Sequence, residues 1–232
     1  HEFMDLLNSF FHEVTISLKQ AAENKRFVDV VRSRTLAYSG EIPMSYLMDY
    51  VLRSSGFKSG HVNITQWPII TDDNFEGANF SLEDSRRNIS YLLDLIEHNE
   101  VVTMGGFIGK TIDGLETTYE RGGSDRTAAD IAILLDDKYD IRLDFEKDSA
   151  VQSADPRVVK NNLHYVTHLS YNEARLAGMF GMKILDPVAI KEIDDNGLDI
   201  PITVTDMSFP SRFTIIKRTL PNDGDENLIK IV

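Results

Sequence analysis

The chain has no cysteine and a single tryptophan among its 232 residues. Without cysteine there are no disulfides, no thiolate nucleophile and no thiolate metal centre, a pattern that fits an intracellular enzyme, so a cytoplasmic location is expected. No uninterrupted run of about 18 apolar residues occurs, so no membrane-spanning segment and no membrane partner are expected. The N-terminus lacks the basic, apolar and small-residue order of a secretory signal. Cations are scarce as well: 24 Lys and Arg stand against 37 Asp and Glu, a net charge of −13. The cations are scattered rather than gathered on one stripe, so the chain repels a phosphate backbone and no nucleic-acid partner is expected. Sequons at Asn63, Asn79 and Asn88 read as chance matches, the last of them inside a predicted helix.

A 42% apolar composition is enough to bury a full core at this length, and one large α/β domain is the simplest count. Helical spacing runs from Asp5 to Asn24, with Leu6, Leu7, Phe10, Phe11, Val14 and Leu18 apolar, and Val28 to Val31 continues that character. Ser45 to Ser54 reads as a helix with Leu47, Met48, Tyr50 and Val51 turned inward. Ser81 is placed to cap a single helix over Leu82 to Glu97, and Val101 to Met104 reads as a strand just after it. Ser170 and Glu173 have the spacing of a capping box before a helix that stops at Gly181. Val188 to Asn196 reads as a last helix and Ile200 to Val204 as a buried strand. This alternation predicts a three-layer αβα sandwich around a mainly parallel sheet over residues 1–220. Residues 221–232 open on the acidic, turn-rich PNDGDE and read as a linker.

The most informative stretch is GGFIGKTIDGLETTYERGGSDRTAA, Gly105 to Ala129. Gly105, Gly106 and Gly109 let the chain turn where a Cβ would obstruct a ligand, and Asp113-Gly114 is a hairpin turn signal. Arg121, Gly122, Gly123, Ser124 and Asp125 then precede an Ala/Ile/Leu helix. A guanidinium, a hydroxyl, a carboxylate and backbone amides therefore meet at one helix N-terminus, a layout suited to phosphate. Alone, Asp125 would read as a first-turn carboxylate and Ser124 as a cap; the ordered set points to chemistry.

This stretch resembles the aspartokinases of the amino acid kinase family, whose pattern here is close to GFIG, TTLGRGGSD and a small-residue helix. The similarity continues in order. RTLAYSGEIPMS (Arg34 to Ser45) resembles the segment with the family's Gly-Glu pair, and ITDDNF (Ile70 to Phe75) its loop of that form. SADPR (Ser153 to Arg157) resembles TADPR, and LSYNEARLAGMFGMKILDP (Leu169 to Pro187) resembles SYDEALELAYFGAKVLHP. The resemblance implies transfer of the ATP γ-phosphate to the β-carboxylate of L-aspartate, with Mg2+ arriving on the nucleotide. It gives Asp125 the reacting centre, Arg121 the α-carboxylate of aspartate and Glu41 its ammonium, with Gly122, Gly123 and Ser124 lining the same site. Lys147, Asp148, Asp155, Arg157 and Lys183 fall to the nucleotide. A homo-oligomer is expected.

Departures from the family are specific. The chain is one residue short around Lys147 and Asp148, carries Gln152 where the family often has an aromatic, and has Asp186 in place of a histidine. The family's opening strand and KFGGSS loop, with a lysine for the transferring phosphate, has no counterpart, and such a segment is expected upstream of His1; small regulatory domains follow at 221–232 in many members. His164 and His168 are four apart, a metal-binding spacing, but with no third ligand nearby they read as two partly exposed histidines. Two rivals stay open at this point: another amino acid kinase, acting on glutamate, acetylglutamate or a nucleotide, and a binding module without catalysis.

Overall fold

The computed structural model describes residues 2–25, 28–155, 158–182 and 184–219; of Glu2 only the backbone is described. The chain divides into two compact units, His1–Thr127 and Ala128–Val232. Both are α/β, and parallel pairing predominates, as the alternation of elements predicts.

In the first unit, helix α1 (Glu2–Glu23) is followed by α2 (Asp29–Leu36), a π-helical turn (Ala37–Glu41) and α3 (Ile42–Ser54). Val28 caps α2 in extended conformation instead of prolonging α1. Phe10 of α1 packs its ring on Tyr38 and Tyr46, with centroids 5.8 and 5.2 Å away. Phe11 and Leu18 face outward. The inward face of α3 is Ile42, Ser45, Tyr46 and Asp49, whereas Met48 and Val51 are exposed. The apolar pattern misplaces this face because a carboxylate occupies it. Asp49 Oδ2 meets His61 Nδ1 at 3.1 Å and Arg53 at 2.9 Å, and the His61 ring stacks on Tyr46 with centroids 3.8 Å apart.

Strand β1 (Ser59–His61) pairs in parallel with β2 (Val101–Thr103). Between them the expected single helix is two, α4 (Leu82–Asn88) and α5 (Ser90–His98). The break at Ile89 buries that side chain. On α4, Ser85 Oγ accepts from the Ile70 amide at 2.8 Å, while the Asn88 amide donates to the Trp67 carbonyl. The face of α4 is thus polar and tied to the 67–70 segment, so Ser81 donates to Asp84 Oδ2 at 2.7 Å and makes no backbone cap. Trp67 is buried, its Nε1 donating to Ile108 O at 2.8 Å. Strands β3 (Ile108–Lys110) and β4 (Glu116–Thr118) form the expected antiparallel hairpin, turning at Gly114 with φ +85°. Helix α6 (Gly123–Leu135) crosses the unit boundary and is buried along most of its length.

The second unit holds β5 (Leu143–Lys147), β6 (His168–Ser170), α7 (Tyr171–Met179), α8 (Pro187–Asp195), β7 (Ile202–Asp206) and β8 (Phe213–Lys217). Its sheet has the order β5-β7-β8-β6, parallel except at β7–β8. Ile193, Ile200, Ile202, Val204 and Ile216 form the core with Leu169. The capping box of Ser170 and Glu173 is present. At the far end of α7, Gly181 takes φ +93°, its amide bonding Gly178 O while Met182 N bonds Ala177 O, the paired bonds of a Schellman stop. Among the described residues no helix is long and apolar enough to cross a membrane. Leu220 and residues 221–232 lie outside the described part, and with them the linker reading.

Burial pushes the Asp49 carboxyl up, but hydrogen bonds from Ser59 and His61 and the Arg53 charge outweigh it, leaving it below its ordinary value of 3.8. Its contribution to stability is therefore complete above the unfolded-state value and is lost as pH falls through the lower folded-state value. Asp49→Asn should destabilise the protein by about 1–3 kcal/mol at neutral pH and flatten the loss of stability below pH about 4. Urea unfolding at several pH values measures both, and an unchanged acid limb would contradict the assignment.

Candidate active site

The expected acceptor-side residues all fall in the first unit, and the glycines show how closely they approach. A Cβ on Gly105 would sit 3.0 Å from the Glu41 carbonyl oxygen and 3.6 Å from Glu41 Cβ. A Cβ on Gly106 would sit 2.9 Å from Ser124 Oγ and 3.0 Å from Ser124 Cβ. The glycine pair after β2 therefore has the Glu41 turn against one residue and the start of α6 against the next. Glu41, Ser124 and the Arg121–Asp125 turn are brought to one patch, although more than 80 residues separate the first from the last.

The turn itself is held from within. Gly122 takes φ +96°. The Gly123 amide donates to Glu120 O and the Asp125 amide to Gly122 O, each at 3.0 Å. Two of the backbone donors expected to face an anion are thus engaged inside the turn. Thr127 Oγ1 donates to Gly123 O at 3.0 Å and accepts from the Phe107 amide at 2.8 Å, so the first turn of α6 is locked to the glycine loop. Phe107 itself has φ +72°, a left-handed conformation unfavourable for a non-glycine residue and held here by its neighbours. Arg121, Gly122 and Ser124 are exposed, Asp125 half-buried and Gly123 buried.

Glu41 ends the π-helical segment, where the Ile42 N–H bonds Ala37 O five residues back. The extra residue in that turn is invisible to a 3.6-residue period. Glu41 is exposed at its tip, while partial burial pushes its carboxyl above the usual range.

Sequence reasoning left the ITDDNF loop without a physical role, and the structure supplies one. Burial alone would raise the Asp72 carboxyl. It is held below the usual range by the side chain and amide of Asn79, the amide of Asn74 and the charge of Arg126. The Phe75 carbonyl accepts from the Thr118 amide at 2.8 Å, Thr118 Oγ1 at 3.1 Å and Ser33 Oγ. The loop therefore ties β4 to α2. Arg126, buried, lies 4.4 Å from the Tyr119 ring centroid, a cation–π contact beneath the turn.

Of the expected nucleotide-side residues, Lys147, Asp148 and Asp155 are in the second unit. Lys147 ends β5 opposite Asp206 of parallel β7, and Asp148 follows it on the surface. Ligands of parallel α/β sheets collect at such carboxyl ends. A cavity of about 500 Å3 begins here, lined by Ser149, Gln152, Asp155, Val158, Phe180 and Val204 among others. Phe180, past the end of α7, is 88% exposed, which leaves an aromatic face bordering the cavity. Lys147 Nζ lies 5.6 Å from the Phe145 ring. Arg157 and Lys183 lie outside the described residues. His164 and His168 are both exposed, and no group of three or more His, Asp or Glu among the described residues is arranged to hold a metal.

The first unit thus has a glycine loop after a strand and a charged turn opening a helix, and the second a cavity at parallel strand ends. Residues 4–206 match the model of the amino acid kinase family, and the chain belongs to that family. It is 29% identical over 193 residues to the bifunctional aspartokinase/homoserine dehydrogenase of Buchnera aphidicola, 83% of this chain and 22% of that protein. To aspartokinase 2 of Bacillus subtilis it is 30% identical over 218 residues, 92% of this chain and 49% of that one. In structure it resembles E. coli aspartokinase III in complex with aspartate and ADP, with a TM-score of 0.83 and 25% identity. That match covers 94% of this chain and 47% of the other. The chain thus spans about half or less of these relatives.

Gly123 tests the packing of the site. A Cβ there would lie 2.5 Å from Tyr119 Cβ and 2.9 Å from the Phe107 ring, neither the end of a flexible chain. Gly123→Ala should cost about 1–3 kcal/mol through overpacking, despite the gain in helix propensity. Chemical denaturation of the variant gives the value directly; equal or greater stability would contradict the close approach.

Proposed function

We propose that this chain is the catalytic domain of an aspartokinase, transferring the γ-phosphoryl group of ATP to the β-carboxylate of L-aspartate and releasing ADP and 4-phospho-L-aspartate. The observation that carries the reading is the patch formed by Glu41, the Gly105–Gly106 loop and the Arg121–Asp125 turn. A carboxylate from the Glu41 segment and a guanidinium from the Arg121–Asp125 turn would together select a free amino acid by its ammonium and α-carboxylate, which an acylated acceptor or a nucleotide would not satisfy together. The aspartokinase relatives and the aspartate and ADP complex of the E. coli protein support the same substrates.

In this reading Arg121 receives the α-carboxylate in a planar fork, Glu41 receives the ammonium, and both fix the β-carboxylate in line with the γ-phosphorus. One acceptor oxygen forms the new O–P bond as the bond to the ADP oxygen breaks. Such a transfer needs alignment and charge neutralisation more than covalent help from the protein. Asp125, with the α6 dipole behind it, orients the acceptor at the reacting centre, and Ser124 and the glycines shape the space. Lys147, Asp148 and Asp155 attend the nucleotide, whose base enters the cavity of the second unit; Arg157 and Lys183 are assigned to it by family resemblance. Mg2+ held chiefly by phosphate oxygens and water needs no protein cage. When bound, it neutralises triphosphate charge. A cytoplasmic homo-oligomer is the expected state.

Asp125 and Glu41 should fail differently. Asp125→Asn should lower kcat on the order of 10²-fold or more, because its role is realised in the transition state. Glu41→Gln should chiefly raise the aspartate KM, and a coupled ADP assay separates the two effects. Equal loss of kcat in both with unchanged KM would break the division. ADP release stimulated by glutamate or acetylglutamate but not by aspartate would move the chain to another acceptor.

Lys147→Ala should weaken ATP binding by about 1–3 kcal/mol, the range for a charge-assisted hydrogen bond, and leave aspartate affinity unaltered. Isothermal calorimetry with each ligand decides this, and unchanged ATP affinity would remove Lys147 from the site.

A further inference from the structure

A chain of charged side chains runs through the first unit that the proposed chemistry does not use. Glu13 of α1 meets Arg34 of α2 at 2.5 Å, and the Arg34 guanidinium lies 5.6 Å from the Tyr38 ring centroid. The Tyr38 hydroxyl donates to Glu116 Oε1 at 3.3 Å, and Lys110 Nζ stands 3.9 Å from the same oxygen. Lys110 and Glu116 face each other across the β3–β4 hairpin, and Lys110 also donates to Ile64 O at 3.0 Å. Glu116 is 4% exposed and Tyr38 9%. Replacing a buried ionic group such as the Glu116–Lys110 end of this chain by apolar residues is often neutral for stability, so its use is better sought in what it positions.

Tyr38 lies in the π-helical turn that ends at Glu41. Helices α2 and α3 are each anchored on their own: Ser33 Oγ donates to Phe75 O, and the Ser45 carbonyl accepts from Thr103 Oγ1 at 2.9 Å. The extra residue of the π turn must be accommodated between these anchors, and a π turn is less favourable than an α turn. If the turn relaxed to α-helical bonding, residues after it would be rotated by about 100° against those before it. Glu41 would leave its place against Gly105.

We propose that the Tyr38–Glu116 contact is a clamp that keeps the π turn open and so positions Glu41 for the ammonium of the acceptor. The proposal rests on the reading of Glu41 given above. Lys110 fixes the Glu116 carboxylate from the strand opposite, and Glu116 holds the tyrosine hydroxyl. Because β4 leads on toward Arg121, the clamp also joins the segment of the guanidinium to that of the carboxylate that must match it. Tyr38, Glu116 and Lys110 are positioning residues; none of them contacts the substrate in this account.

Two variants and two readouts test it. Tyr38→Phe removes only the hydroxyl, and Glu116→Gln keeps an acceptor for it while removing the charge. Backbone amide exchange over residues 37–42 should accelerate about tenfold in Tyr38→Phe and less in Glu116→Gln, with exchange in β7 unchanged. Calorimetry should show aspartate affinity lowered about tenfold in Tyr38→Phe, a loss usual for one hydrogen bond to a charged group, with ADP affinity intact. Unaltered exchange in the turn overturns the clamp. Faster exchange with undiminished aspartate affinity overturns its positioning role. Wild-type protein that binds no aspartate refutes the acceptor reading itself, while the exchange data still decide whether the clamp exists.

Discussion

Everything proposed for the acceptor side depends on neighbouring segments approaching glycine backbone without an intervening Cβ. A Cβ on Gly105 would meet the Glu41 carbonyl oxygen at 3.0 Å, and one on Gly106 the Ser124 Oγ at 2.9 Å. Two elements far apart in the chain can share a patch only because the loop between them presents bare backbone. The same condition returns at Gly109 against Thr71 and Thr117, and at Gly123 against Tyr119. Rigidity follows from this closeness. The loop has no slack, Phe107 is held at φ +72°, and Thr127 locks the loop to α6 through two hydrogen bonds.

Charge is distributed on a second plan. At a net charge of −13 the chain has few cations to place. Of those described, Arg126 lies under the turn, and Lys110 and Arg34 are drawn into a partly buried row of ion pairs that balances itself. Burial pushes the Lys110 ammonium below its ordinary range, and Glu116 opposes that. These are cations used to hold elements in register. Arg121, exposed, stands just before a helix start, and Lys147, half-buried, at a strand end.

Much of the element order is legible in local chemistry. The Asp113-Gly114 hairpin, the Ser170–Glu173 capping box and the Gly181 stop are each set by residues within a few positions of one another, so they can be read without a fold. Reading failed where burial overrides local pattern. Met48 and Val51 look like core and are exposed, because Asp49 takes the inward face with Arg53 and His61 as partners. The 82–97 segment looks like one helix and is two, because Ser85 and Asn88 are tied to the backbone of 67–70. The three-residue strand β1 has no signal of its own, since Ser59, Gly60 and His61 extend only by pairing with β2.

By itself the sequence determined the α/β class, the glycine loop, the charged turn at the start of α6 and the family resemblance, since each is written in residues adjacent along the chain and in propensities that act locally. Tertiary structure alone decided that Glu41 ends a π turn, that this turn lies against Gly105, and that Tyr38, Glu116 and Lys110 meet. The Glu41–Gly105 approach and the Tyr38–Glu116 contact join residues 64 and 78 positions apart, and no local periodicity encodes which distant atoms will fill the space that a missing Cβ leaves open.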